Sequence, residues 1–215
     1  MGLFNLDFMS LVYRLPAIVL ALTVHEYAHG RIAYAFGDPT ARNAGRITLN
    51  PLAHLDVVGT LMLIFAGFGW AKPVPFNPYY FHGNRKQKTM WVAAAGPLSN
   101  LVQALIVAVL FSLLWRFAPM ILDNWWLPNF LFSVISINIV LAVFNLLPIP
   151  PLDGSKILAG LLPNRFTNFI YQLEQFGFII LIVCMFLGVF RTIISPIVYM
   201  LLTGLFWLVG LGGLI

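Results

Sequence analysis

The sequence predicts an all-α integral membrane protein, a bundle of transmembrane helices with one additional element that dips into the bilayer. Three observations lead there. Of its 215 residues, 60% are hydrophobic and only 9% are charged, whereas a soluble domain carries about 25% charged residues. Mean hydropathy is +0.91. The apolar residues also gather into runs of the length that a helix needs to cross a hydrocarbon core, about 20 residues. The length fits one compact domain, with a core at about residues 10–160 and further helices at about 169–214.

Five runs meet the length standard, at roughly residues 10–33, 89–115, 126–147, 169–190 and 195–214. The first is not a cleavable signal. It has no basic leader beyond Arg14 and it runs directly into the densest polar motif of the chain. A sixth run, 52–69, is shorter and starts with His54 and Asp56. If it does not cross, Arg31, Arg42, Arg46, Lys72, Arg85, Lys86, Lys88, Lys156 and Arg165 share one side, leaving only Arg14, Arg116 and Arg191 opposite. Nine basic residues then stand against three, and a crossing at 52–69 would change this to five against seven. The bias of basic residues towards the cytoplasm favours five crossings, with the N-terminus outside and 52–69 re-entrant. The net charge of +5 therefore reads as a topology signal. Its residues are too few and too dispersed for a nucleic-acid surface.

The stretch Gly67-Phe68-Gly69-Trp70-Ala71-Lys72-Pro73-Val74-Pro75 fits neither a helix nor a central strand. Its glycines permit unusual backbone angles and its alternating prolines restrict any strand to an edge. It is read either as an interfacial loop or as a short hairpin-like edge open to a guest peptide. Cys184, the single cysteine, lies in an apolar run and reads as a buried hydrophobe.

The first run ends in His25-Glu26-Tyr27-Ala28-His29. Residues i and i+4 share a helix face, so both imidazoles can reach one metal ion. Zinc takes such nitrogen ligands, and Glu26 is placed to accept a proton from a water held there. Ionisable groups at this depth are expensive unless something satisfies them. The third ligand can be sought by elimination, with His54 and Asp56 as second-tier candidates behind Asp153. Asp7 and Asp123 fall on the far side of the membrane, while Asp38, His82 and Glu174 read as solvated polar groups. Asp153 remains, in Asn145-Leu146-Leu147-Pro148-Ile149-Pro150-Pro151-Leu152-Asp153-Gly154, where prolines end the preceding helix and Gly154 allows a sharp turn. With five crossings, His25, His29 and Asp153 lie on one side; a crossing at 52–69 would separate them.

Four further positions carry readings that the residues leave open. His54 either lines the site or caps its local element, and Asp56 reads as a cap. Asn100, in Gly96-Pro97-Leu98-Ser99-Asn100, could donate to a developing oxyanion or serve as an interhelical hydrogen bond. Asn145 carries the same two readings.

In these motifs the chain resembles the site-2 protease family of intramembrane zinc metalloproteases, in its short bacterial and archaeal form without a PDZ or CBS domain. The likeness rests on His25-Glu26-x-x-His29, Gly96-Pro97-x-x-Asn100 and Asn145-x-x-Pro148-x-Pro150-x-Leu152-Asp153-Gly154, in that order, and covers about residues 10 to 160. The resemblance implies one zinc on His25, His29 and Asp153, with Glu26 as general base. It implies that Asn100 stabilises the transition state or holds substrate. It also implies that the segment with Gly67 and Gly69 presents an edge to a locally unwound transmembrane substrate. The expected setting is the cell membrane of a prokaryote, with the site towards the cytoplasm. A metal transporter and an inactive membrane scaffold are the rival readings. Polar groups clustered near one face argue against a transport path, and the retained Glu26 argues against an inactive scaffold.

Overall fold

A computed structural model describes residues 8–66 and 69–214. Nine α-helices occur among them: α1 Phe8–Ala35, α2 Thr40–Asn43, α3 Val57–Ala66, α4 Arg85–Phe117, α5 Trp126–Leu146, α6 Asp153–Leu161, α7 Asn164–Glu174, α8 Gly177–Phe186 and α9 Val189–Leu208. The protein is all-helical among the described residues. Among the described residues, α1, α4 and α5 are the single helices long and apolar enough to cross a membrane.

Helix α4 is the hub, packing against α1, α5, α6 and α9. Its buried positions include Ala93, Gly96, Asn100, Ala104 and Ala108, a stripe at three- and four-residue spacing. Ala17 and Ala21 are fully buried on α1, as is Ala142 on α5. In lipid there is little hydrophobic drive between helices, so small residues that let backbones approach become the means of association. Further along, Phe206 of α9 is 1% exposed and meets the rings of Phe111 and Phe132 edge-on. That contact docks α9 against the C-terminal half of α4 and the N-terminal half of α5.

Two of the expected spans differ from a simple crossing. The run at 169–190 divides into α7 and α8, which meet at 77°. Polar residues explain the division, because α7 carries Asn164, Arg165, Thr167, Gln172 and Glu174 and cannot lie in hydrocarbon. The apolar run proper begins only near Phe176. It ends at Gly188, whose positive φ of 69° suits glycine and starts α9. The run expected at 195–214 is α9, which begins six residues earlier, at Val189.

The short run at 52–69 forms a turn of 3₁₀ helix, Pro51–Ala53, followed by α3. Ten helical residues rise about 15 Å, half of the roughly 30 Å of hydrocarbon, so α3 does not reach across. The hairpin expectation is met only by a single antiparallel bridge, Leu55 with Ala71; no strand forms among the described residues. Prolines 73 and 75 account for this, since neither can donate to a ladder.

After α5 the chain turns through Pro148–Leu152 and begins α6 at Asp153. Gly154 is buried, and a Cβ there would collide with the carbonyl oxygens of Leu146 and Leu147. This glycine lets the start of α6 press against the end of α5, which aims Asp153 back into the bundle. Gly154→Ala is expected to cost about 1–3 kcal/mol. Thermal unfolding in detergent, with wild type alongside, measures this.

Candidate metal centre

Two elements supply the centre. His25 and His29 sit one turn apart on the C-terminal half of α1 and are 4% and 8% exposed, and Asp153 enters from the first turn of α6. Their ligand atoms converge. Nε2 of His25 lies 3.0 Å from Nε2 of His29, and Oδ2 of Asp153 lies 3.3 Å and 3.2 Å from the two. No other group of three or more such side chains converges in this way among the described residues.

The remaining ring nitrogens are committed. Nδ1 of His29 is 2.7 Å from the carbonyl oxygen of Val92, which can only accept, so Nδ1 carries the proton. Nδ1 of His25 is 2.7 Å from Oδ1 of Asn100. The orientation of that amide is fixed, because its nitrogen faces the carbonyl of Ala21 at 3.2 Å. Both imidazoles therefore donate outward from Nδ1 and turn Nε2 inward.

The buried Oδ2 of Asp153 accepts no hydrogen bond. Two ring nitrogens and a carboxylate oxygen facing one another need positive charge between them. A tetrahedral zinc site with bonds near 2.0–2.1 Å sets its ligand atoms about 3.3 Å apart. The three separations here fall within a few tenths of an ångström of that edge. The residues thus fit a divalent cation with three protein ligands and one open position.

Glu26 follows His25 on α1, and its Oε2 accepts a hydrogen bond from Val74 N–H at 2.8 Å. Val74 is the one residue of Pro73-Val74-Pro75 with an amide proton. Its neighbour Lys72 is tied on both sides, donating to the carbonyl of His54 at 2.8 Å and accepting from Arg46 Nη2 at 2.5 Å. The segment after α3 is therefore pinned alongside the centre.

The other sequence-derived positions distribute differently. His54 is 1% exposed. Its ring contacts the carbonyl of Thr48 at 2.8 Å, and its backbone oxygen holds Lys72. Asp56 accepts from the amide of Gly59 at 2.8 Å, a cap on α3. Asn145 bonds within its own helix, to the carbonyl of Leu141 at 3.0 Å. Gly69 abuts α3, where a Cβ would meet the carbonyl of Gly59 and the side chain of Leu63. Gly67 lies outside the described residues. Asn100 is fully buried with its amide spent on His25, Ala21 and Asn138.

Two residues with evident roles were given none of their own from the sequence, although Gly96 stands in one of the quoted motifs. Gly96 faces the imidazoles so closely that a Cβ would lie 2.5 Å from His25 Cε1 and from His29 Nε2. Asn138 of α5, fully buried, joins Asn100. Its signal was available: an amide in the middle of an otherwise apolar span.

The chain is similar in sequence to several known proteins. The family model for peptidase family M50 matches residues 116–188, a range that holds Asp153 but not the histidine helix. A Bacillus subtilis protein named "Putative zinc metalloprotease YwhC" is 42% identical over 173 residues, covering 80% of this chain and 78% of that one. One of Mycolicibacterium smegmatis named "Putative zinc metalloprotease Rip2" is 30% identical, covering 77% of this chain and 63% of its own length. One of Methanocaldococcus jannaschii named "Putative zinc metalloprotease MJ0611" is 29% identical, covering 72% and 73%. No solved structure gives a significant match.

Gly96→Ala puts a methyl group into the face of both imidazoles, which cannot retreat without leaving Asn100 and Val92. At least a tenfold loss of zinc affinity is expected, measured by chelator competition on the detergent-purified protein.

Proposed function

We propose that this chain, which belongs to peptidase family M50, the site-2 protease family, is a membrane metalloprotease that hydrolyses peptide bonds in or near transmembrane segments of other proteins. The observation that carries the reading is the convergence of two inward-turned imidazoles on a buried carboxylate oxygen without a hydrogen bond. His25, His29 and Asp153 hold one zinc ion. The zinc, when bound, supplies Lewis acidity that polarises a carbonyl and acidifies a water.

Each protein group then has a task. Glu26, one residue along α1 from His25, accepts a proton as the water oxygen bonds to the scissile carbonyl carbon. It gives that proton to the amine nitrogen as the carbon–nitrogen bond breaks, leaving a new carboxyl end and a new amino end. Val74 N–H orients the Glu26 carboxylate between these transfers. Asn100 acts through His25.

Substrate chemistry follows from the setting. A transmembrane helix keeps its carbonyls in internal hydrogen bonds, so cleavage requires local unwinding. The pinned segment through Lys72 and Val74 offers an extended backbone beside the centre, along which an unwound guest can lie. In an extended segment successive residues face opposite edges, so Ala71 and Pro73 face away from His54 and Glu26. The partners are thus a transmembrane substrate and the surrounding lipid. The basic residues favour a site towards the cytoplasm of a prokaryotic cell. The fifth crossing expected from the sequence is not kept, because α9 ends with the Val209 carbonyl accepting from Ser112 and Arg116, at the end of α4 away from the centre.

The test separates binding from chemistry. Wild type purified without chelators should carry near one zinc per chain, and His29→Ala and Asp153→Asn should each lose most of it. Glu26→Gln should keep its zinc and lose turnover of a transmembrane reporter substrate by at least a hundredfold. Cleavage persisting in Glu26→Gln would remove that base, and absence of zinc from wild type would remove the metalloprotease reading.

A further inference from the structure

Beneath His25 runs a chain of buried amides that crosses three helices. His25 Nδ1 on α1 donates to Asn100 Oδ1 on α4. Asn100 Nδ2 donates to the carbonyl of Ala21 and, at 2.7 Å, to Asn138 Oδ1 on α5. Asn138 Nδ2 in turn donates to the carbonyl of Val134 at 2.8 Å and to Gln103 Oε1 at 2.9 Å, back on α4. Asn100 and Asn138 are both fully buried, and Gln103 is half-buried.

The direction of this chain is forced. The carbonyls of Ala21 and Val134 can only accept, so each asparagine must turn its nitrogen towards one of them. That leaves Asn138 Oδ1 for Asn100 and Asn100 Oδ1 for His25. A flipped Asn100 amide would present N–H groups to His25 Nδ1. The ring proton would then move to Nε2, onto the lone pair that a cation needs. A flip would also set Asn100 Oδ1 against the carbonyl of Ala21 and against Asn138 Oδ1, and so break both of those bonds.

We propose that Asn138 is a positioning residue for the metal centre: by accepting from Asn100 it locks that amide, and through it the tautomer of His25 that leaves Nε2 free to bind zinc. The inference rests on the metalloprotease reading above and deepens it. Asn138 touches neither the ligand atoms of the centre nor a substrate path; its effect is transmitted through one amide. Polar partners behind a histidine ligand typically govern metal affinity by 10- to 100-fold, and a lock on such a partner acts on the same quantity.

The experiment compares zinc affinity, by chelator competition, in wild type, Asn138→Leu, Gln103→Leu and Ile139→Ala. Ile139 is buried beside Asn138 on α5 and takes no part in the amide chain, so its truncation controls for loosened packing. Thermal stability of the metal-free forms is read in parallel, with the visible spectrum of the cobalt-substituted proteins as a direct report on ligand geometry. The expected result is a loss of about 10-fold or more in zinc affinity for Asn138→Leu, with an altered cobalt spectrum. Gln103→Leu should show a smaller loss, and Ile139→Ala should lose stability with its zinc affinity kept. Equal affinities in wild type and Asn138→Leu overturn the inference while leaving the metal centre in place. Where Asn138→Leu does not fold, Gln103→Leu decides, and unchanged affinity with an unchanged spectrum overturns it. Equal loss in Ile139→Ala overturns it as well, since the effect is then one of packing. Absence of zinc from wild type itself marks failure of the underlying metalloprotease reading.

Discussion

Inside the α1–α4–α6 junction, two imidazole nitrogens and a carboxylate oxygen face one another at 3.0–3.3 Å, with the other nitrogen of each ring already committed. Lone pairs brought this close repel, and in a medium of low dielectric the repulsion is poorly screened. The arrangement is tolerable only with positive charge at its centre, and much of the surrounding structure can be understood as holding the three atoms in place. Val92 and Asn100 fix the ring orientations, Gly96 leaves the volume that the rings need, and Gly154 brings α6 close enough to deliver Asp153. Each acts on a different degree of freedom of the same trio.

That division of labour explains why α4 is the hub. It carries the acceptor for His29 on Val92, the space at Gly96 and the acceptor for His25 on Asn100, over little more than two turns. These contacts need α1 and α4 at short separation, which the alanines and glycine of the interface permit. Packing and chemistry are therefore not separable along this face. A larger side chain at Ala21 or Gly96 would spread the helices and also withdraw an acceptor from a ring.

Part of this was legible in the sequence because it depends on local periodicity. The spacing of His25 and His29 on a helix face needs only the 3.6-residue repeat, and the placement of Asp153 needed only a list of carboxylates and a side of the membrane. The likeness to known metalloproteases came through the same motifs. Other features depend on tertiary neighbours and carry no local mark. Asn138 stands in an apolar run like many membrane amides, and only the approach of α4 shows what it bonds. Gly69 looked like part of a flexible edge, whereas its lack of a side chain serves contact with α3. The break between α7 and α8 was hidden because a hydropathy window averages the polar residues of α7 with the apolar run that follows. Gly188 marks the end of that run but cannot be told from an ordinary membrane glycine without its backbone angle.

Charge balance gives a last reason why this set of residues suits a membrane. With neutral imidazoles, zinc contributes +2 and Asp153 and Glu26 contribute −1 each, so the occupied centre is neutral. Burying net charge is costly, and a neutral, hydrogen-bonded cluster avoids most of that cost. In the proposed reaction, proton transfer to Glu26 moves charge within the cluster without changing its total. Such a centre draws on no distant counter-ion, which accords with the placement of the basic side chains in loops and helix ends instead of at the site.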